Sequence, residues 1–203
     1  MRYISSALLL LGALALPMPV AQAAPITFVA DLTQGLEVPP TGSPGTGSAT
    51  VVLDTTASTM HVDVTFSGLT SGTTASHIHC CLASPFQTGA NVMVATTTPT
   101  FPGFPLGVTS GTYDMSFNLL DPGTYNPAFV TSAFNPSGTI AGAEAALVAG
   151  VEDGETYLNI HTNAHPGGEI RGFLVAAPEP ASLVLLGSAL FGFGLIRRRK
   201  FGS

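Results

Sequence analysis

Residues 77–81 read His-Ile-His-Cys-Cys, and residues 161–172 read HTNAHPGGEIRG. Together they hold four of the five histidines and both cysteines of a chain otherwise rich in Ala, Thr, Gly and Val. Two imidazoles separated by one residue project from the same face of a strand. His-x-His is therefore a common way for one strand to supply two ligands to zinc or copper, which neutral imidazole suits. With His161 and His165 added, four imidazoles become available, and Cys80 or Cys81 could add a thiolate. A second chemistry is hydrogen bonding alone. His77, His79 and His161 would tie the GGEIR turn to a sheet, with Arg171 paired to Glu169 or to a more distant carboxylate. A third is a ligand surface for an exopolysaccharide, cell wall or another surface protein. The residue pattern favours the polar lock and places metal second. No oxyanion-stabilising or orienting element can be named beside either cysteine, so no catalytic residue is assigned and no enzyme or cofactor is expected, zinc or copper being the alternative.

Cys80 and Cys81 are adjacent. A bond between them closes a ring over Cα atoms about 3.8 Å apart across a trans peptide, closer than the roughly 4.4–6.8 Å usual for disulfides. Such a ring forces a turn and ends the strand just after His79, which suits Leu82-Ala83-Ser84-Pro85 as a loop. Thiols held reduced or on a metal, and bonding between chains, stay open at this level.

The elements that must position these groups read as strands. ITFVADLT, GSATVVLD, MHVDVTF, SHIHC, NVMVAT, TYDMSFNL, TYLNIH and GEIRGFLV are rich in Val, Ile, Thr, Phe and Tyr, with Gly, Pro, Ser and Asn clusters between them. In MHVDVTF, Met60, Val62, Val64 and Phe66 point one way and His61, Asp63 and Thr65 the other, so His61 is a solvent-face residue without a role. By the same period Ile78, Leu158 and Ile160 point inward. Tyr157, Asn159 and His161 share the opposite face of their strand, and Glu169 and Arg171 share a face of the last one. Thr139–Gly150 breaks the pattern as an Ala-rich helix stopping at a glycine. Pro99–Pro105 reads as a loop. The pattern predicts an all-β sandwich or barrel with one short helix.

The two ends of the chain are different in kind. Arg2, an apolar run from Ile4 to Leu16 and Ala21-Gln22-Ala23 have the layout of a secretory signal peptide cleaved after Ala23. At the other end Pro178-Glu179-Pro180 precedes an apolar stretch, 181–196, and then Arg197, Arg198, Arg199 and Lys200. Basic residues flanking a hydrophobic helix stay on the cytoplasmic side, which leaves the body outside. This tail resembles a PEP-CTERM sorting signal. The resemblance implies recognition by an exosortase-like membrane protease, passage through an inner-membrane-anchored precursor, and a mature form at the cell surface or beyond it. Of the six Lys and Arg, only Arg171 lies in the intervening body, against eleven Asp and Glu. A body this acidic has no footprint for nucleic acid. The expected organisation is 1–23 signal, 24–177 one β domain, and 178–203 sorting segment.

Four elements of the body occur in an order that resembles the chordin-type (CHRD) domain. Glu37-Val38-Pro39-Pro40 follows the opening strand, Gly47-Ser48-Ala49 begins the next, His77-Ile78-His79 comes third, and Asn159 to Gly172 closes the domain with N-x-H-T-x-x-x-P-G-G-E-I-R-G. The resemblance spans Ile26–Val175. It implies an extracellular all-β, immunoglobulin-like or Greek-key fold with no established activity. The doubled cysteine and the stretch from Pro99 to Gly138 depart from the plain pattern.

Overall fold

The computed structural model describes residues 24–178; the signal segment and the apolar segment 181–196 with its basic tail lie outside the described residues. Eight strands form one antiparallel sheet: β1 (Ile26–Thr33), β2 (Thr46–Asp54), β3 (Thr59–Ser67), β4 (Thr73–His79), β5 (Gly111–Asn118), β6 (Tyr157–Thr162), β7 (Ile170–Phe173) and β8 (Val175–Ala176). Their spatial order is β4-β6-β7-β1-β2-β3-β5, with β8 paired to β1. The fold is all-β, and the sheet curls into a half-barrel. Among the described residues helix α1 (Pro127–Val130) is a single turn, and α2 (Ile140–Glu152) is the one longer helix. Among the described residues no helix is long and apolar enough to cross a membrane.

The period-2 pattern accounts for the core. Met60, Val62, Val64 and Phe66 of β3 are buried against Phe28, Ala30 and Leu32 of β1, Val51 and Leu53 of β2, and Ile78, Leu158, Ile160 and Ile170. Helix α2 covers this face with Ala143, Leu147 and Val151. Its start is set by Thr139, whose hydroxyl accepts from the Gly142 N–H as an N-cap. Gly150 does not stop the helix, which runs on to Glu152. A Cβ there would lie 2.5 Å from Cys80 Sγ, so this glycine serves close packing rather than termination.

On β2 and β3 buried and solvent-facing residues alternate, whereas every residue of β6 and the last four of β4 are buried. The sheet is therefore covered on both faces at this end. The second cover is built by the segments after β1 and after β4. NVMVAT does not form a ladder strand but makes single bridges, His79 to Val94 and Thr96 to Tyr125. The reason is that threonine hydroxyls replace backbone carbonyls along the free edge of β4. Ile78 N–H donates to Thr96 Oγ1 at 3.0 Å and Ser76 N–H to Thr100 Oγ1 at 2.9 Å. GEIRGFLV likewise divides at Leu174, whose N–H leaves the ladder to donate to the Thr156 carbonyl. The stretch from 99 to 138 is not peripheral: it carries Phe101 and Phe104 into the core and adds β5 to the far edge of the sheet.

Candidate functional site

His77 and His79 of β4 stand opposite Asn159 and Tyr157 of β6, and Asn159 stands opposite Arg171 of β7. Directly opposed residues of an antiparallel pair share a face, with Cβ atoms about 4.5–5.5 Å apart. The strands thus lay out a contiguous polar patch on the face away from the core, with His161 two residues along from Asn159. His77, His79 and His161 are all buried. Their ring centroids are 5.1 Å (77 to 161), 5.8 Å (79 to 161) and 5.9 Å (77 to 79) apart.

Each imidazole uses one nitrogen on a main-chain carbonyl. His77 Nε2 lies 2.6 Å from Pro99 O, His79 Nδ1 2.8 Å from Val92 O, and His161 Nδ1 2.9 Å from Pro166 O. A carbonyl only accepts, so these nitrogens carry the protons and the tautomers are set. The opposite nitrogens, His77 Nδ1, His79 Nε2 and His161 Nε2, are buried and meet no hydrogen-bond partner among the described residues. One ligand nitrogen from each ring lies within 4.8 Å of the others. Burial holds the rings neutral. Desolvation lowers the His77 pKa to about 4 against the pull of the Pro99 carbonyl, and lowers His79 to about 3 against that of Val92. His161 moves down for the same reason. Three neutral imidazoles thus converge with lone pairs unused, each braced by a carbonyl, which is how metal-ligating histidines are oriented. A bond of about 2.0–2.1 Å to zinc would draw the nitrogens somewhat closer together.

His165 does not belong to this group. It lies in the turn after β6, and its backbone carbonyl accepts from Thr162 N–H and Gly168 N–H, so the residue shapes the turn while its ring stays apart from the three. The cysteines are also elsewhere. Cys80 and Cys81 are joined by a disulfide, and both sulfurs pack beside Gly150 of α2. Cys80 follows His79 and so turns to the core side of the strand, which removes the thiols from the ligand set. His61 is partly exposed on β3, 3.6 Å from Asp114.

Arg171 and Glu169 part company as well. Arg171, 1% exposed, pairs with Glu37 at 3.8 Å. Its Nε donates to the Leu36 carbonyl, and Nη1 donates to Ala90 O at 3.2 Å and Asn91 Oδ1 at 2.9 Å. The guanidinium lies 4.6 Å over the Tyr157 ring, and the His79 ring stacks on Tyr157 at 4.7 Å. Burial pushes the Glu37 carboxyl up to about 7 although Arg171 opposes it. Glu169 accepts instead from Ser43 Oγ (2.5 Å), Thr162 Oγ1 (2.5 Å) and Thr70 N–H (2.6 Å). Burial pushes that carboxyl up, but the donors outweigh it and hold it below the usual range. These two networks pin the segment after β1 and the turn after β6 over the patch. In that turn Gly168 has φ +126°, and a Cβ there would collide with the Asn159 carboxamide, which explains the glycine.

Residues 28–174 match the model of the CHRD domain. The chain belongs to the CHRD domain family. Residues 176–200 match the PEP-CTERM protein-sorting motif, which marks an exported protein sorted by exosortase through a membrane-anchored stage. No curated protein and no solved structure matches the chain. In this CHRD domain, the E-V-P-P and P-G-G-E-I-R-G elements thus supply the Glu37–Arg171 pair and the Glu169 network. H-I-H and N-x-H supply the three imidazoles. Sequence reasoning missed Ser43 and Thr70 around Glu169 and the three carbonyls, because a carbonyl is offered by any residue type.

Proposed function

We propose that this is an exported binding module holding one late first-row transition ion, zinc or copper, through His77, His79 and His161. Processing at both ends leaves the 24–177 body at the cell surface or in its matrix, where an exopolysaccharide or another surface protein is its neighbour. What supports the metal reading is the convergence of three buried, partnerless imidazole nitrogens, each ring held by a carbonyl. Leaving a buried acceptor unpaired costs about 1–3 kcal/mol, and a metal ion satisfies all three together.

The carbonyl bonds also support a second reading, in which the rings only lock the covering segments to the sheet. Metal analysis of protein purified without a polyhistidine tag or added metal separates the two. The expected result is one zinc or copper per chain, lost in the His77→Ala, His161→Ala double variant. Zinc and copper far below one per chain, before and after incubation with either ion, would leave the lock alone.

A further inference from the structure

Three buried polar atoms on the same face remain without partners among the described residues: Arg171 Nη2, Asn159 Oδ1 and Glu37 Oε1. Arg171 and His79 both pack on the Tyr157 ring, the guanidinium 4.6 Å over it and the imidazole stacked at 4.7 Å. Asn159 is the centre of the patch, directly opposite His77 on one side and Arg171 on the other, with His161 two residues further along its own strand. Asn159 and Arg171 are each 1% exposed. A guanidinium with five donors that leaves one end unused in the interior is a strong site for a planar oxyanion. Its other two nitrogens are committed to Leu36, Ala90 and Asn91, which fixes where the free end is held.

The metal side presents the complementary need. Three protein ligands leave a tetrahedral ion one coordination position for an exogenous group. All three are neutral, so a divalent ion there keeps its full charge, and an anionic fourth ligand is favoured over a neutral one. Resting on the metal reading above, we infer that the patch is a composite site: the ion bound by His77, His79 and His161 takes a small carboxylate- or carbonate-type oxyanion as its fourth ligand. The anion's outer oxygen accepts from Arg171 Nη2. The Asn159 carboxamide bonds the Glu37 carboxyl and has Oδ1 unpaired; rotated about its last bond, it gives up Glu37 and presents an N–H to the anion instead. Glu37, facing Arg171, limits the charge the site tolerates and favours a monoanion over a polyphosphate. No bond is made or broken in a substrate; the site binds.

Cobalt(II) is a spectroscopic stand-in for zinc at such a centre. The full-length chain, purified in detergent without a polyhistidine tag, would be loaded with cobalt(II) and titrated with acetate and with bicarbonate, chloride serving as control. The expected result is a saturable change in the visible absorption with either oxyanion. Arg171→Met and Asn159→Leu, each compared with wild type at saturating cobalt, should weaken acetate binding about ten-fold or more, the loss of a charge-assisted or buried hydrogen bond. Arg171→Lys, which keeps the charge, guards against a variant that fails to fold and should fall between wild type and Met. A cobalt spectrum indifferent to oxyanion, or equal acetate affinity in wild type and Asn159→Leu, overturns the composite site and leaves the metal centre standing. Failure to bind cobalt, zinc or copper at all removes both.

Discussion

On the proposed metal reading, acid should weaken metal binding far less than it would at three solvent-exposed histidines, and the reason can be worked from the burial of His77, His79 and His161. A proton competes with the ion for each imidazole. For three ordinary histidines of pKa near 6.5, the neutral fraction of each falls about 25-fold between pH 7 and pH 5, so affinity drops roughly ten-thousand-fold. Here His77 is lowered to about 4 and His79 to about 3. At pH 5 both are still mostly neutral, and together they cost affinity only about 1.1-fold. His161 is lowered too; even at its ordinary value it would contribute no more than about 25-fold. The sign follows from the direction of the shifts: a depressed histidine pKa moves proton competition to lower pH, so His77 and His79 begin to lose the ion to protons only near pH 4 and below, instead of below 6.5. Equilibrium dialysis against buffered zinc at pH 7, 6, 5 and 4, with metal analysis of both compartments, measures this directly. A fall of more than about a thousand-fold between pH 7 and 5 would mean that the rings take up protons as in water, and the argument from burial would be wrong.

The other expectations concern the supports of the site. In metal-free buffer the His77→Ala, His161→Ala variant removes the ring hydrogen bonds to the carbonyls of Pro99 and Pro166; urea unfolding should show a loss of no more than about 0.5–1.5 kcal/mol for each bond removed. Glu169→Gln turns a purely accepting carboxylate toward Ser43, Thr70 and Thr162 into a group that also donates, and calorimetry should show destabilisation of at least about 2 kcal/mol. Because the folded Glu169 pKa is depressed from 4.5, its contribution is present above that value and lost as pH falls through the folded pKa; a variant whose deficit persists undiminished at pH 2 would contradict this. Gly150→Ala pushes a methyl group against Cys80 Sγ, and thermal melts should register overpacking of about 1–3 kcal/mol. Cys80→Ser with Cys81→Ser should leave zinc stoichiometry unchanged, since the sulfurs face α2 rather than the imidazoles; loss of bound metal in a variant that remains folded would return the cysteines to the site.

Much of this arrangement was legible in the chain itself. Alternation in 60–66 decides which side of β3 is core, and the same period puts His77 with His79, and Asn159 with His161, on shared faces, because side-chain direction along a strand is a local property. The ordered motifs announce the family, and the tail announces export. What only the tertiary structure decided is which of these groups meet. His165 sits as near in sequence to His161 as a ligand pair could wish, yet its turn uses the backbone and leaves the ring outside. The cysteines follow His79 directly and still face the other way. Arg171 passes over Glu169, two residues off, for Glu37, more than a hundred residues away. The carbonyls of Val92, Pro99 and Pro166, which fix the three tautomers, could not be read at all. Every residue carries a carbonyl, and only the course of the covering segments over the sheet determines which ones point at an imidazole.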